Sequence, residues 1–221
     1  MRTAFFVDGY NVFYSLVSGT PYKWLNLKAL LGNILARQNP QAEVSRVCYF
    51  TSSVKPHLAS RGTDSLEAQN TYIRALKAND VEVITGLHLL SPARAPRHVA
   101  GQKPSRQDLV DIWSLEEKQT DVNIAIGMYR AAVSQQYDQV VLVSADTDMT
   151  GALKAIKEDF PAIKRGVIFP HKPSTKRPAP VSLCELADWV VFAIHEKELA
   201  EAQFSNRVPT HKKPAVKPHY W

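Results

Sequence analysis

The stretch Val140–Met149, VVLVSADTDM, constrains the chain more than any other. Four consecutive aliphatic residues, Val140 to Val143, with no polar alternation suit a strand covered on both faces, the environment of a parallel sheet. The run ends in a polar tip with two carboxylates, Asp146 and Asp148. Beyond it, Met149, Ala152, Leu153 and Ile156 recur at helical spacing, so a helix is expected to begin near Thr147 or Asp148. The tip therefore stands at the carboxyl end of a central strand and at the mouth of a helix, where open α/β sheets place their sites. One Asp there is explained by helix capping alone. Two carboxylates so close repel each other unless a positive charge sits between them.

The rest of the chain supplies the partners of that strand. Ala4–Val7 reads as a first strand, closed by Asp8-Gly9-Tyr10-Asn11. Gly9 permits a tight turn, and Asn11 can cap the next element or bind through its side-chain oxygen. Asn26 is placed to cap a helix with the apolar stripe Leu27, Leu30, Leu31, Ile34 and Leu35. Arg46–Thr51 is a second strand, Leu66–Asn79 a helix with Ile73 and Leu76 inward, and Val81–Thr85 a third strand. Strand, helix, strand, helix, strand implies right-handed crossovers and a parallel sheet. His88, just past the third strand, reads as a loop residue.

From Ser91 to Gln107 the character changes: Arg94, Arg97, His98, Lys103 and Arg106 stand among three prolines with no acid. The segment reads either as a solvated excursion or as a flap that contacts phosphates. Leu109–Leu115 is ambiguous between strand and helical turn. Glu116-Glu117-Lys118 then leads into a helix with Asp121 in its first turn and Val122, Ala125, Ile126, Tyr129 and Val133 expected inward. After the central strand come a helix to about Asp159, a strand at Gly166–Phe169 and a Pro/Lys-rich loop to Pro180. Ser182 and Glu185 have capping-box spacing. Trp189–Ile194 is expected as an edge strand, with a continuous helix as the rival, and Glu196–Phe204 as a helix. We divide the chain into a domain over residues 1–200 and a basic, proline-containing tail over 205–221, expected to be flexible or to order only against a partner.

Composition narrows the function. A net charge of +6 favours a polyanionic partner. The apolar run before Asp8 is too short for a signal peptide, and no segment is long enough to span a bilayer, so a cytoplasmic location is expected. Cys48 and Cys184 are isolated and read as core thiols rather than a disulfide or zinc site. With the first and fourth strands adjacent, Asp8 and Asp146 would converge, and the helix headed by Asp121 crosses over into the same edge. Carboxylates sharing one pocket call for a divalent cation, and oxygen-only ligands favour Mg²⁺ or Mn²⁺. Such an ion suits phosphodiester displacement, with Lys118 and Asn11 placed to hold a phosphate oxygen or a water.

The motifs FFVDGYN, EEKQTDVNIAI, VVLVSADTDM and SLCELADWVVF, in this order, resemble the NYN domain, a branch of the PIN-like metal-dependent nucleases. The resemblance runs from about Arg2 to Ile194. It implies a three-layer α/β/α Rossmann-like sandwich with a central parallel sheet of order 3-2-1-4-5, an acidic Mg²⁺ or Mn²⁺ site, and RNA as substrate. Carried over by motif, the acids fall on Asp8, Asp121, Asp146 and Asp148, with Asn11 and Lys118 beside them. Two positions depart from the pattern. Gly127 stands where many members carry a further Asp, which implies weaker metal affinity or a single site, and Met149 replaces a usual Phe. Two function classes follow. One is a metal-dependent ribonuclease; the other is a non-catalytic RNA-binding or regulatory module on the same fold. Arg94, Arg97, Lys103 and Arg106 would contact RNA in either. A haloacid-dehalogenase-like phosphatase is disfavoured because Tyr10 occupies the place of its second Asp. No membrane partner is expected, and a homo-oligomer is left open.

Overall fold

A computed structural model describes residues Met1–Trp221. In chain order it contains β1 (Arg2–Asp8), α1 (Gly9–Val12), α2 (Leu27–Gln38), β2 (Glu43–Ser52), α3 (Thr63–Ala78), β3 (Glu82–Pro96), β4 (Leu109–Lys118) and α4 (Thr120–Ser134). There follow β5 (Gln139–Val143), α5 (Thr150–Asp159), β6 (Lys164–Ile168), α6 (Val181–Cys184), β7 (Trp189–Val191), α7 (Glu196–Glu201), β8 (Arg207–Val208) and β9 (Ala215–Val216). The one-turn helix α1 runs directly into a π-helical turn, Phe13–Val17. Seven strands form one sheet in the order β4-β3-β2-β1-β5-β6-β7.

Every pair in that sheet is parallel except β3–β4. The crossover-connected strands follow the expected 3-2-1-4-5 sequence, and two strands extend it. β7 adds the parallel edge at Trp189–Val191. β4 adds an antiparallel edge on the other side, paired with β3 over ten positions from Leu87↔Lys118 to Pro96↔Leu109. Ser91–Gln107 is therefore not one loop: its first six residues complete a long ribbon, and only the tip is irregular. Composition hid the ribbon because both of its faces meet solvent, leaving no buried face to impose alternation. β3 pairs with β2 only as far as Gly86, so Pro92 and Pro96 lie where one edge of the strand is free.

The sheet buries both faces, which is why its central strands are apolar throughout. Phe5, Val7, Val47, Tyr49, Val141 and Val143 face one layer with α2 and α3; Ala4, Phe6, Cys48, Phe50, Val140 and Leu142 face the other with α4 and α5. Asn26 caps α2 as expected, accepting from the Ala29 amide at 3.1 Å. Helix α4 is turned relative to expectation. Thr120, Ile124, Met128, Ala131 and Ala132 are buried, while Val122, Ile126 and Val133 are exposed. Both stripes have helical spacing, so period alone could not choose between them. The first residue decides: the Thr120 hydroxyl is held by Glu117 Oε1 (2.5 Å) and Ser52 Oγ (3.3 Å).

Two further expectations change. Helix α6 spans Val181–Cys184 with no side-chain cap; reciprocal capping occurs instead at α7, between His195 and Glu198. The segment after Phe204, expected to be a flexible tail, packs on the domain. Val208 and Ala215 are buried in the same core as α2 and α3. Trp221 lies edge-on to Trp24 and Tyr72, with ring centroids 6.1 and 6.0 Å apart. Val208, Ala215 and Trp221, set among the basic residues, supply the burial that net charge obscured.

The β6–β7 edge rests on a buried ion pair. Arg165, whose side chain is 7% exposed, donates to Asp188 Oδ1 at 3.0 Å and to the carbonyls of Leu186 and Ile163. Asp188→Ala leaves that guanidinium buried without its carboxylate. The expected cost is about 3 kcal/mol in urea unfolding, with little change in slope.

Candidate metal centre

The register of β1 against β5 pairs Val7 with Val143, so the residues that follow, Asp8 and Ser144, emerge side by side. Ser144 Oγ donates to Asp8 Oδ2 at 2.9 Å and accepts from the Asp146 amide at 3.0 Å. Asn11 donates to Asp8 twice, from its backbone amide (3.0 Å) and from Nδ2 (2.7 Å), and its Oδ1 accepts from the Ala145 amide (3.3 Å). Gly9 is required for this turn, because a Cβ there would lie 2.5 Å from the Phe50 carbonyl and 2.6 Å from the Tyr49 ring. Asp146 in turn caps the 3₁₀ turn Thr147–Met149 by accepting from the Asp148 amide at 3.0 Å.

Three carboxylates gather in front of this frame. Asp121, Asp146 and Asp148 each present an oxygen, and the three oxygens lie within 4.8 Å of one another. Asp121 arrives from the start of α4; the other two come from the tip of β5. An oxygen-only set at this spacing fits one hard divalent cation. Asp8 is not part of the trio. It is 4% exposed, and its oxygens accept hydrogen bonds from Asn11 and Ser144. Burial raises its pKa, opposed by those hydrogen bonds. Asp121 is pushed up to about 6, first by burial and then by the charges of Asp146, Asp8, Glu117 and Asp148.

The remaining site residues expected from sequence fall in different places. Asn11 holds the β1–β5 turn together, with one Nδ2–H on Asp8 and its Oδ1 on the Ala145 amide. Lys118 pairs with Glu116 along the ribbon and is not seen at the carboxylates. The two-residue alternation of β4 explains this, since Glu116 and Lys118 share one face and Glu117 takes the other. Glu117 is the residue that sequence reading passed over. Its carboxylate accepts from Ser52 Oγ (2.8 Å) and Thr120 Oγ1 and raises the pKa of Asp8 and Asp121. Recognising it required knowing that Leu109–Lys118 is a strand.

Position 127 is no ligand position here. A Cβ on Gly127 would meet the Phe6 and Phe50 rings at 3.3–3.4 Å, in the core beneath α4. The missing Asp therefore removes nothing from the trio. Of the four basic residues, Arg94 pairs with Asp111 (3.4 Å) and Arg97 with Asp108 (3.2 Å), both exposed, while Lys103 and Arg106 lie in the exposed tip. Ten pairs at about 3.4 Å per residue put that tip on the order of 30 Å from the base of the ribbon, where α4 begins.

The sequence profile of the NYN domain matches residues 2–180. The chain belongs to the NYN-domain family. Its fold is accordingly that of the PIN-like nucleases, and the carboxylate trio lies within the matched segment. Among curated proteins, the chain is similar to 6-hydroxy-3-succinoylpyridine 3-monooxygenase HspA of Pseudomonas putida (strain DSM 28022 / S16). The identity is 32% over 240 residues, covering 100% of this chain and 75% of that protein.

The trio makes a signed prediction for the metal-free NYN domain. The pKa of Asp121 is raised in the folded state, so its contribution to stability is full below pH ~4 and is lost as pH rises through about 6. Asp121→Asn removes that dependence. In chelator, the melting temperature of the variant relative to wild type should climb between pH 4 and 6 and then level off.

Proposed function

We propose that this NYN domain is a metal-dependent ribonuclease. The observation that supports it most is the convergence of Asp121, Asp146 and Asp148 from two separate elements at the mouth of the parallel sheet. Three carboxylates so placed suit Mg²⁺ or Mn²⁺, which when bound would polarise a phosphate oxygen and favour an ionised water. The protein's own residues do the positioning. Asp8, Ser144 and Asn11 tie the β1 and β5 ends together and so fix the direction of Asp146. Thr120, held by Glu117 and Ser52, fixes the rotation of α4 and hence of Asp121. In hydrolysis, water oxygen adds to phosphorus, the bond to the leaving ribose oxygen breaks, and one proton ends on that oxygen. The net positive charge supports RNA as the partner. No helix is long and apolar enough to cross a membrane, and both cysteines are free, which fits a reducing cytoplasm.

Purified protein with Mn²⁺ or Mg²⁺ should cleave single-stranded RNA and stop on chelation. Asp146→Asn should lower cleavage about a hundredfold or more while RNA binding holds or tightens, because a charge that repels phosphate is gone. Saturating metal should raise the melting temperature by mass action, with about 2.7 kcal/mol expected at 100 Kd, and Asp146→Asn should abolish that shift. If wild type and Asp146→Asn show equal residual cleavage, the alternative of a non-catalytic RNA-binding module stands instead.

The relative's name supports a second reading, hydroxylation of a pyridine ring. Incubation of the protein with 6-hydroxy-3-succinoylpyridine, a nicotinamide reductant and oxygen distinguishes the two. Product formation that survives Asp146→Asn would favour the oxygenase.

The ribbon tip makes a separate prediction. Changing Arg94, Arg97, Lys103 and Arg106 to Ala should weaken RNA binding and flatten its salt dependence by about 0.7 per lost phosphate contact. Because the tip lies far from the trio, the effect should appear with long RNAs and fade with oligonucleotides of a few residues.

A further inference from the structure

Against α1 and α3 the surface opens into a cleft of about 500 Å³, with Tyr10 in its lining. Its lining is mostly apolar and rich in aromatic rings. Tyr10 and Tyr14 stack there, with centroids 5.8 Å apart and planes 14° from parallel. Tyr10 is fixed, donating to the Ser52 carbonyl at 3.2 Å and sharing a hydrogen bond with His88 Nε2 at 3.2 Å. Tyr14 is 67% exposed, so this stack presents a ring to solvent. Lys23, Lys55 and Arg61 also line the cleft, and none of the three is paired with a carboxylate. Arg61 lies 4.4 Å over the ring of Tyr220, which keeps its guanidinium at the wall.

One turn of chain joins the cleft to the frame that holds the metal centre. Asp8 and Asn11 face the β5 tip, while Gly9 and Tyr10, between them, line the cleft. Glu117 accepts from Ser52 Oγ and from Thr120 beside Asp121, and the Ser52 carbonyl accepts from Tyr10, so one strand end is shared by both. A ligand that joins the two places needs a flat ring for the tyrosines, anionic groups for the three cations, and a phosphate within reach of the carboxylates.

We propose that the cleft takes one nucleobase of the RNA strand, stacked on Tyr14, with its phosphates directed by Lys23, Lys55 and Arg61 toward the carboxylate trio. This rests on the ribonuclease reading above for the identity of the strand. Stacking is sequence-tolerant because every base has a π-face, so the cleft would set where the strand lies rather than which sequence is bound. The scissile phosphate would then stand at a constant distance from the seated base. The basic ribbon tip, on the order of 30 Å from the start of α4, would hold a more distant part of the same strand.

The test uses single-stranded RNA with one 2-aminopurine moved along the strand, in chelator so that nothing is cut. Stacking quenches this base, and one position should be quenched more than its neighbours on binding. Tyr14→Ala removes the platform, and Leu58→Trp, at the 49%-exposed cleft wall, fills the space. Each should abolish the positional quench and weaken binding roughly five- to tenfold, the loss of one base–aromatic stack, without lowering the melting temperature. Nicotinate, a free heteroaromatic acid, serves as the competing arm. Equal quenching at all positions, quenching that survives both variants, or a cleft that takes nicotinate but no RNA base would overturn the proposal. The two readings fail separately. A Tyr14-dependent quench without metal-dependent cleavage keeps the base site and removes the nuclease. Cleavage that needs Asp146 but ignores Tyr14 and Leu58 does the reverse.

Discussion

The pairing of β1 with β5 is the constraint on which the rest depends. These strands are distant in sequence, and their parallel register brings Asp8 beside Ser144 at the carboxyl edge of the sheet. A buried carboxylate is costly unless donors reach it. Here Ser144 and Asn11 supply those donors, and each also anchors the backbone that leads to Asp146. The buried acid thus acts as the hub of a hydrogen-bond frame, and the three acids in front of it remain available. Burial first, and then the charges of neighbouring acids, raise the pKa of Asp121, and that shift is the energetic signature of the place.

The same arrangement gives Glu117 a role that its position in the chain conceals. It closes the ribbon at the point where β4 passes into α4 through Gln119, whose backbone is left-handed (φ 77°). Its carboxylate binds Ser52 from the end of β2 and Thr120 from the first turn of α4. Three elements are thereby locked at one point. The rotation they impose on α4 turns Asp121 toward Asp146 and leaves Val122, Ile126 and Val133 outward. An apolar helix face exposed to solvent is the cost of placing that one carboxylate.

Several features of fold and site were legible in the residues. The apolar runs at Ala4–Val7 and Val140–Val143 announced doubly covered strands, and the order of strands and helices implied their parallel crossovers. Asp8, Asp121, Asp146 and Asp148 were legible as a group because each stands at a strand end or a helix start, and the structure gathers the last three within 4.8 Å. The long ribbon was not legible, since a two-stranded arm with both faces in solvent needs no alternation. Nor was the docking of the C-terminal segment, where Val208, Ala215 and Trp221 find a core built by residues nearly two hundred positions away.

By itself the sequence determined the parallel core of the sheet, the acids at its mouth and the resemblance to the NYN family, because period, apolar runs and motif spacing are local properties. Tertiary structure alone decided which of two helical stripes on α4 is buried, that Asp8 is buried in the hydrogen bonds of Asn11 and Ser144 while three other acids cluster, and that Lys118 turns away while Glu117 turns in. Each of these is a choice between faces of an element. Such a choice depends on what the opposite element offers as a hydrogen-bond partner, and no stretch of chain contains that information about itself.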